Sequence, residues 1–99
     1  MTEEQKAICH KIAEHYSQDH QKIKAIEEMA ELQAELTRDL NFGDTTLRKI
    51  IEEIADVIIM TEQLVYFYDR TDLSLSNFID AKLNRQIERM ESENDGRGC

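Results

Sequence analysis

The near absence of helix-breaking residues constrains this sequence more than any other feature. The chain contains no proline, and two of its three glycines, Gly96 and Gly98, lie among the last four residues. Nothing therefore interrupts a helix from the N-terminus to Phe42, or from Asp44 to the tail. No segment alternates apolar and polar positions with β-branched residues, as a strand would. The sequence predicts an all-α fold, and 99 residues limit it to one domain.

Apolar spacing divides the chain into four predicted helices that form a four-helix bundle-like single domain. Gly43 suits a left-handed turn between the second and third helices, and Asp44 suits the next N-cap. We expect the apolar stripes centred on Met29 and Ile54 to face the core. The predicted helices span residues 3–16 (with Thr2 as N-cap), 19–40, 45–68 and 74 or 76 to 90. Residues 1–90 then form the domain, and the polar residues 91–99 form a disordered tail.

Composition narrows the classes of partner and compartment. The formal net charge of −9 argues against nucleic-acid binding, which requires clustered Lys and Arg. The two cysteines, Cys9 and Cys99, form no zinc spacing and no disulfide framework. No apolar run approaches the length of a membrane span, and the N-terminus lacks the features of a signal peptide. We therefore expect a cytoplasmic protein that binds neither nucleic acid nor membrane.

Two acidic runs of the same form occur, one near the start of each long predicted helix. Measured from Met29 and Ile54, the second and last acids of each run lie about 100° and 160° away on the same side. If the two long helices pack antiparallel across the short Gly43 turn, these two pairs converge. The runs are Glu27-Glu28-Met29-Ala30-Glu31 and Glu52-Glu53-Ile54-Ala55-Asp56.

Converging carboxylates favour a hard cation. Four such groups in a partly dry site repel one another unless a proton or a cation neutralises them. Ligands that are all oxygen favour Mg²⁺ or Mn²⁺ over Zn²⁺. The alternative is a solvated acidic face, since the chain has 21 acidic residues. Periodicity by itself leaves both interpretations open.

Three segments in order resemble a known family. Lys24 leads into Glu27-Glu28-x-x-Glu31, and Glu53-x-x-Asp56 precedes the apolar run Val57-Ile58-Ile59-Met60. The third segment reads Lys82-x-Asn84-x-x-Ile87-x-Arg89. This order is similar to the MazG-type nucleotide pyrophosphohydrolases of the all-α NTP pyrophosphatase group. The sequence departs from that family at Ala55, where the family often has glycine.

The resemblance implies a hydrolase that converts a (d)NTP to the (d)NMP and pyrophosphate in nucleotide-pool housekeeping. It implies that Glu28, Glu31, Glu53 and Asp56 bind Mg²⁺, with Mn²⁺ as a substitute. It also implies catalytic roles for Glu27 and Glu28, in which Glu27 either supports the metal ligands from behind or orients or deprotonates the attacking water. The implied phosphate-binding residues are Lys24, Lys82, Asn84 and Arg89, while Glu52 is expected to be a surface acid.

Other functions and features stay open at this point. A phosphoribosyl-ATP pyrophosphatase has the same fold and overlapping motifs, and a non-catalytic acidic interaction module is an alternative of a different class. The broad apolar surface of the third helix predicts a homodimer or a tetramer, in which a neighbour lends basic residues to the site. Five aromatic side chains that could stack on a base are by default core or surface residues: His15, Tyr16, His20, Phe42 and Tyr66.

Overall fold

A computed structural model describes residues 1–68 and 73–94 of the chain. This part contains four helices and no strands, which confirms the predicted all-α class. The predicted polar connection 69–72 and the last five residues of the predicted tail lie outside the described residues. The helices are α1 (Glu3–His15), α2 (Gln18–Asn41), α3 (Leu47–Tyr68) and α4 (Leu75–Ser92).

Short polar side chains fix the starts of three helices. Thr2 and Gln5 form a capping box, in which the Gln5 N–H donates to Thr2 Oγ1 at 3.0 Å and the Thr2 N–H donates to Gln5 Oε1 at 2.7 Å. Ser17 caps α2, and Ser74 caps α4 through the N–H of Asn77 at 3.2 Å. These oxygens satisfy N–H groups that have no partner within the helix. The first and last residues of α1, α2 and α4 accordingly lie within two positions of the predicted ones.

Gly43 forms the turn between α2 and α3. Its φ of 62° lies in the left-handed region, as predicted. The N–H groups of Phe42 and Gly43 both donate to the carbonyl of Arg38 at 2.9 Å, which closes the last turn of α2. This ending resembles the usual glycine C-cap and lets α3 begin four residues after Gly43.

The prediction that Asp44 caps α3 is wrong. Thr46 Oγ1 accepts the N–H of Lys49 at 3.1 Å, and α3 begins at Leu47, two residues later than predicted. The later start of α3 has a tertiary cause, because the hydroxyl of Thr45 donates to the buried carboxylate of Glu35 on α2. This contact keeps residues 44–46 in the connection between α2 and α3.

The contact between α2 and α3 is a polar seam. The two helices pack together, and α1 also packs against α3. Gln21, near the start of α2, donates its side-chain N–H to Gln63 Oε1 near the end of α3 at 2.7 Å. Gln21, Glu28, Glu53 and Gln63 are all buried, whereas few apolar side chains are. Polar pairing thus fixes how α2 meets α3.

The predicted burial of the apolar stripes in this chain's own core is wrong. Met29 is 43% exposed and Ile54 is 36% exposed, and Leu40, farther along α2, is 85% exposed. The buried polar seam lies to one side of these stripes, which stay exposed even at Ile58, where α3 shares a groove with Ile8 and Ile12 of α1. The most apolar surface of the two long helices therefore faces outward.

Helix α4 extends away from the other three helices. Residues 75–91 are all exposed, and only Ser92 at its end is half-buried. The radius of gyration is 17.3 Å, against about 13 Å for a compact chain of this length. None of the described helices combines the length and the apolar character that crossing a bilayer requires.

We expect Gly43→Ala to lower the free energy of unfolding by about 1–2 kcal/mol, since a β-carbon is strained at positive φ. A β-carbon built there meets no atom within 4 Å, so steric crowding adds nothing. Gly43→Asn is the control and should cost less, because asparagine tolerates this region. Urea unfolding measures both, and an unchanged midpoint for Gly43→Ala would contradict the expectation.

Candidate metal centre

Four carboxylates from two helices meet at one point of the seam. Glu28 and Glu31 come from α2, and Glu53 and Asp56 come from α3. One carboxylate oxygen from each lies within 4.8 Å of the other three. These are the four residues that periodicity predicted to converge, and the structure brings them together.

Each helix contributes one buried acid and one exposed acid. Glu28 and Glu53 are 8% and 6% exposed, whereas Glu31 and Asp56 lie at the outer edge. Residues three apart on a helix differ by about 60° in direction, so each pair places one carboxylate in the seam and one at its rim. The cluster is therefore closed on its inner side and open to solvent on its outer side.

Two lysines contact the buried acids but leave one oxygen of each without a partner. Lys24 Nζ lies 3.1 Å from Glu28 Oε1, and Lys49 Nζ lies 3.4 Å from Glu53 Oε1. Glu28 Oε2 and Glu53 Oε2 are buried and accept no hydrogen bond. A buried carboxylate oxygen without a donor is costly, so these two atoms are the part of the cluster that a bound cation would satisfy.

Lys49 is a site residue that sequence reasoning missed. It precedes Glu53 by four positions, as Lys24 precedes Glu28. That shared spacing was the available sign, because residues four apart on a helix lie on the same face. The two helices thus present the same Lys-x-x-x-Glu-x-x-acid pattern toward one centre.

The exposed acids hold their protons more strongly than usual. The charge of Glu28, then partial burial and the charge of Glu53, raise the pKa of Glu31. Burial first, then the charges of Glu28 and Glu53, raise the pKa of Asp56. When Glu31 or Asp56 is protonated, its O–H group can donate to Glu28. When both are ionised, neither side chain can donate a hydrogen bond to Glu28 Oε2.

The residues present fit a divalent cation. Two ammonium groups beside four carboxylates leave two negative charges, which one divalent ion neutralises. Opposite oxygens around Mg²⁺ or a slightly larger cation lie about 4–5 Å apart, close to the 4.8 Å spread of these ligand atoms. The donors are oxygen only, which favours Mg²⁺ or Mn²⁺ over Zn²⁺.

Glu27 lies beside the cluster rather than in it. Its side chain is exposed, and its charge acts on Lys24. Together with His20 and Ile23, these two residues line a small depression of about 100 Å³. Glu27 can therefore reach a molecule seated next to the cluster, and its catalytic role stays a prediction. Glu52, expected at the surface, is exposed and pairs with Arg48 at 3.1 Å.

The predicted phosphate contacts on α4 do not reach the cluster within one chain. Lys82, Asn84 and Arg89 are all exposed. In residues 1–68 and 73–94, no ion pair or hydrogen bond joins them to the four acids. Lys24 is the basic residue whose charge lowers the pKa of Glu31 and Asp56. The role of the α4 residues stays a prediction.

Most of the aromatic candidates make contacts of their own elsewhere. Tyr16 stacks on His20 with ring centroids 4.7 Å apart and meets His15 edge-on at 4.7 Å. The hydroxyl of Tyr66 donates to Glu14, and Phe42 is 75% exposed near the Gly43 turn. His20 is the candidate that borders Lys24. The default interpretation as core or surface residues therefore fits four of the five.

Comparison with known proteins adds no assignment. A scan against protein-family models, a search of curated proteins and a search of solved structures each find no match to this chain. The geometry and electrostatics of the carboxylate cluster are therefore the basis for a function.

We expect the metal-free protein to lose stability as pH rises through the range in which Glu31 and Asp56 ionise. Their pKa values are raised in the folded chain, so between the ordinary and the raised values the folded state binds more protons than the unfolded state. The free energy of unfolding then falls as pH increases. Urea unfolding in chelator from about pH 4 to 7 measures this slope.

The control for this slope is the double variant Glu31→Gln with Asp56→Asn. It removes both titrating groups, so its stability should depend less steeply on pH than that of the wild type. The difference between the two curves isolates these acids from the other carboxylates of the chain. Parallel curves would contradict the expectation.

Proposed function

We propose that this protein is a Mg²⁺-dependent nucleoside triphosphate pyrophosphohydrolase that converts a (d)NTP to the (d)NMP and pyrophosphate. In this proposal Glu28, Glu31, Glu53 and Asp56 hold the cation. A cytoplasmic setting is part of the proposal, and Cys9, a free buried thiol, is consistent with it.

The observation that carries the proposal is the pair of buried oxygens without partners. Surface acids are common and need no ligand, but Glu28 Oε2 and Glu53 Oε2 are enclosed and point into a group of like charges. Removing such oxygens from water has a cost that a divalent cation offsets. The antiparallel packing expected for α2 and α3 is supported by two contacts, Gln21 with Gln63 and Glu35 with Thr45.

The choice of a triphosphate substrate rests on the resemblance of the motifs and on the chemistry that the site allows. When bound, the cation supplies positive charge that neutralises phosphate oxygens and favours ionisation of a coordinated water. Lys24, whose side chain is 49% exposed, is placed to attract phosphate oxygens beside the cluster. Glu27, across the same small depression, is placed to orient or deprotonate a water.

Phosphate charge needs more positive groups than Lys24 alone. We propose that Lys82, Asn84 and Arg89 reach the substrate from the α4 of a neighbouring chain or when α4 moves. The exposed position of α4 supports this part of the proposal, because its basic side chains are not engaged with the cluster of their own chain.

Activity on nucleotides tests the proposal. We expect pyrophosphate release from a (d)NTP panel with Mg²⁺ and none with chelator. Glu53→Gln and Asp56→Asn should each lower kcat/KM by about 100-fold or more, because each removes a proposed ligand. Glu52→Gln is the matched control, since it alters the neighbouring exposed acid and should retain activity. A panel that includes phosphoribosyl-ATP separates the two pyrophosphatase activities.

Inactivity of the wild type on every nucleotide, together with unchanged behaviour of the two variants, would refute the proposal and favour the non-catalytic interaction module.

Thermal unfolding tests the metal site without substrate. Mn²⁺ at about 100 times its Kd should stabilise the wild type by about 2.7 kcal/mol. Glu53→Gln should lose this gain, yet in chelator it should be at least as stable as the wild type, because one buried like charge is gone. Glu52→Gln should keep the gain. An equal response of all three proteins to Mn²⁺ would exclude the cluster as the binding site.

A further inference from the structure

The ring of His20 is held by two contacts near the start of α2. It stacks on Tyr16 with ring centroids 4.7 Å apart and an angle of 8° between the planes. Its Nδ1 lies 2.6 Å from Gln21 Oε1, and the amide N–H of Gln21 in turn donates to Gln63 Oε1 on α3 at 2.7 Å. Gln21 and Gln63 are both buried, whereas His20 is exposed. A buried chain of amides therefore anchors a ring that a ligand can reach.

The contact with Gln21 decides which ring nitrogen of His20 carries the hydrogen. Because the amide N–H of Gln21 donates to Gln63, its carbonyl oxygen is the atom beside His20, and a carbonyl oxygen can only accept. Nδ1 is then the donor. In a neutral imidazole the other nitrogen, Nε2, has no hydrogen and accepts. His20 therefore offers a hydrogen-bond acceptor on a ring that is oriented before a ligand binds.

This ring lies beside the carboxylate cluster. Together with Ile23, Lys24 and Glu27, it lines the depression of about 100 Å³ next to the cluster. Lys24 follows His20 by one turn and contacts Glu28 at 3.1 Å. Two turns separate His20 from Glu28, which is roughly 12 Å along the helix axis. A nucleoside whose phosphate is held at the cluster and Lys24 can span this distance.

The shape of the depression limits what it can hold. Pockets that enclose a whole small molecule usually measure about 300 Å³ or more. A volume of about 100 Å³ suits one edge of a nucleoside instead. Tyr16 already covers one face of the His20 ring, so a base cannot stack on that face. The ring nitrogen is therefore the part of His20 that is best placed to recognise a ligand.

We propose that His20 Nε2 accepts a hydrogen bond from an N–H or O–H group of the nucleoside and thereby contributes to substrate selection. This inference rests on the nucleotide pyrophosphohydrolase activity proposed above. The donor is the amino group of a base such as cytosine or adenine, or a hydroxyl of the sugar. An analogue that presents a carbonyl oxygen at this point is disfavoured, because two acceptors then face each other. His20 is thus a binding residue and takes no part in the chemical step.

Nitrogen NMR of the wild-type chain tests the hydrogen position without substrate. The ¹⁵N chemical shifts of an imidazole distinguish a nitrogen that carries hydrogen from one that does not. At about pH 8 we expect hydrogen on Nδ1 of His20 and none on Nε2. The His20→Phe variant identifies the His20 signals by their loss. A ring that carries its hydrogen mainly on Nε2 would overturn the proposal.

Steady-state kinetics test the contact with substrate. His20→Phe keeps a flat ring that can stack on Tyr16 but removes the acceptor. We expect KM for the donor-bearing nucleotide to rise about fivefold with kcat little changed, because one binding contact of ordinary strength is lost. Deoxycytidine against deoxyuridine triphosphate, and deoxyadenosine against deoxyinosine triphosphate, test the amino group. Analogues without the 3′-hydroxyl test the sugar, and the rise in KM should vanish for the analogue that lacks the donor.

Two further variants separate recognition from a structural role. His20→Gln supplies a side-chain oxygen that can accept, so it should recover part of the lost binding. His15→Phe is the matched control and should keep the wild-type KM, since His15 also contacts Tyr16 at 4.7 Å but lies outside the depression.

Two kinetic results would overturn this inference alone. One is an unchanged KM in His20→Phe for every nucleotide that the wild type hydrolyses, and the other is an equal rise for analogues with and without the donor. A wild type that hydrolyses no nucleotide would refute the proposed function, and this inference with it.

Discussion

Glu28 and Glu53 are buried between the same two helices, and their burial governs how α2 and α3 pack. Two like charges in a seam repel, and Lys24 and Lys49 each neutralise only one oxygen of their acid. One uncharged polar pair, Gln21 with Gln63, stabilises the seam beside these charged residues. The seam therefore fixes how α2 and α3 meet while leaving negative charge that a divalent cation would balance.

The same seam explains why the apolar stripes lie outside. Each long helix has two useful faces, a polar one and an apolar one, separated by about a quarter of a turn. Once the polar faces meet, the stripes around Met29 and Ile54 lie outside the seam, where both residues stay exposed. The long helices thus carry an acidic cluster in the seam and exposed apolar side chains beside it.

Local features of the fold could be predicted because they depend on neighbouring residues. Thr2 caps α1 through its own short side chain, as expected, and Gly43 supplies the positive φ of the turn. The acid pairs converge as expected because three-residue spacing fixes a direction on any helix. Asp44 does not cap α3, because Thr45 forms a hydrogen bond with Glu35, a buried residue ten positions earlier in the chain.

The helices, the turn and the four acids that share a direction can be read from the chain alone, since each follows from helical period and backbone preference. Which face of α2 and α3 is buried depends instead on tertiary packing. Periodicity gives the angle between two faces of a helix but not which of them meets the neighbour. That choice depends on the sum of long-range contacts such as Gln21 with Gln63, and it placed polar side chains inside and Met29 and Ile54 outside.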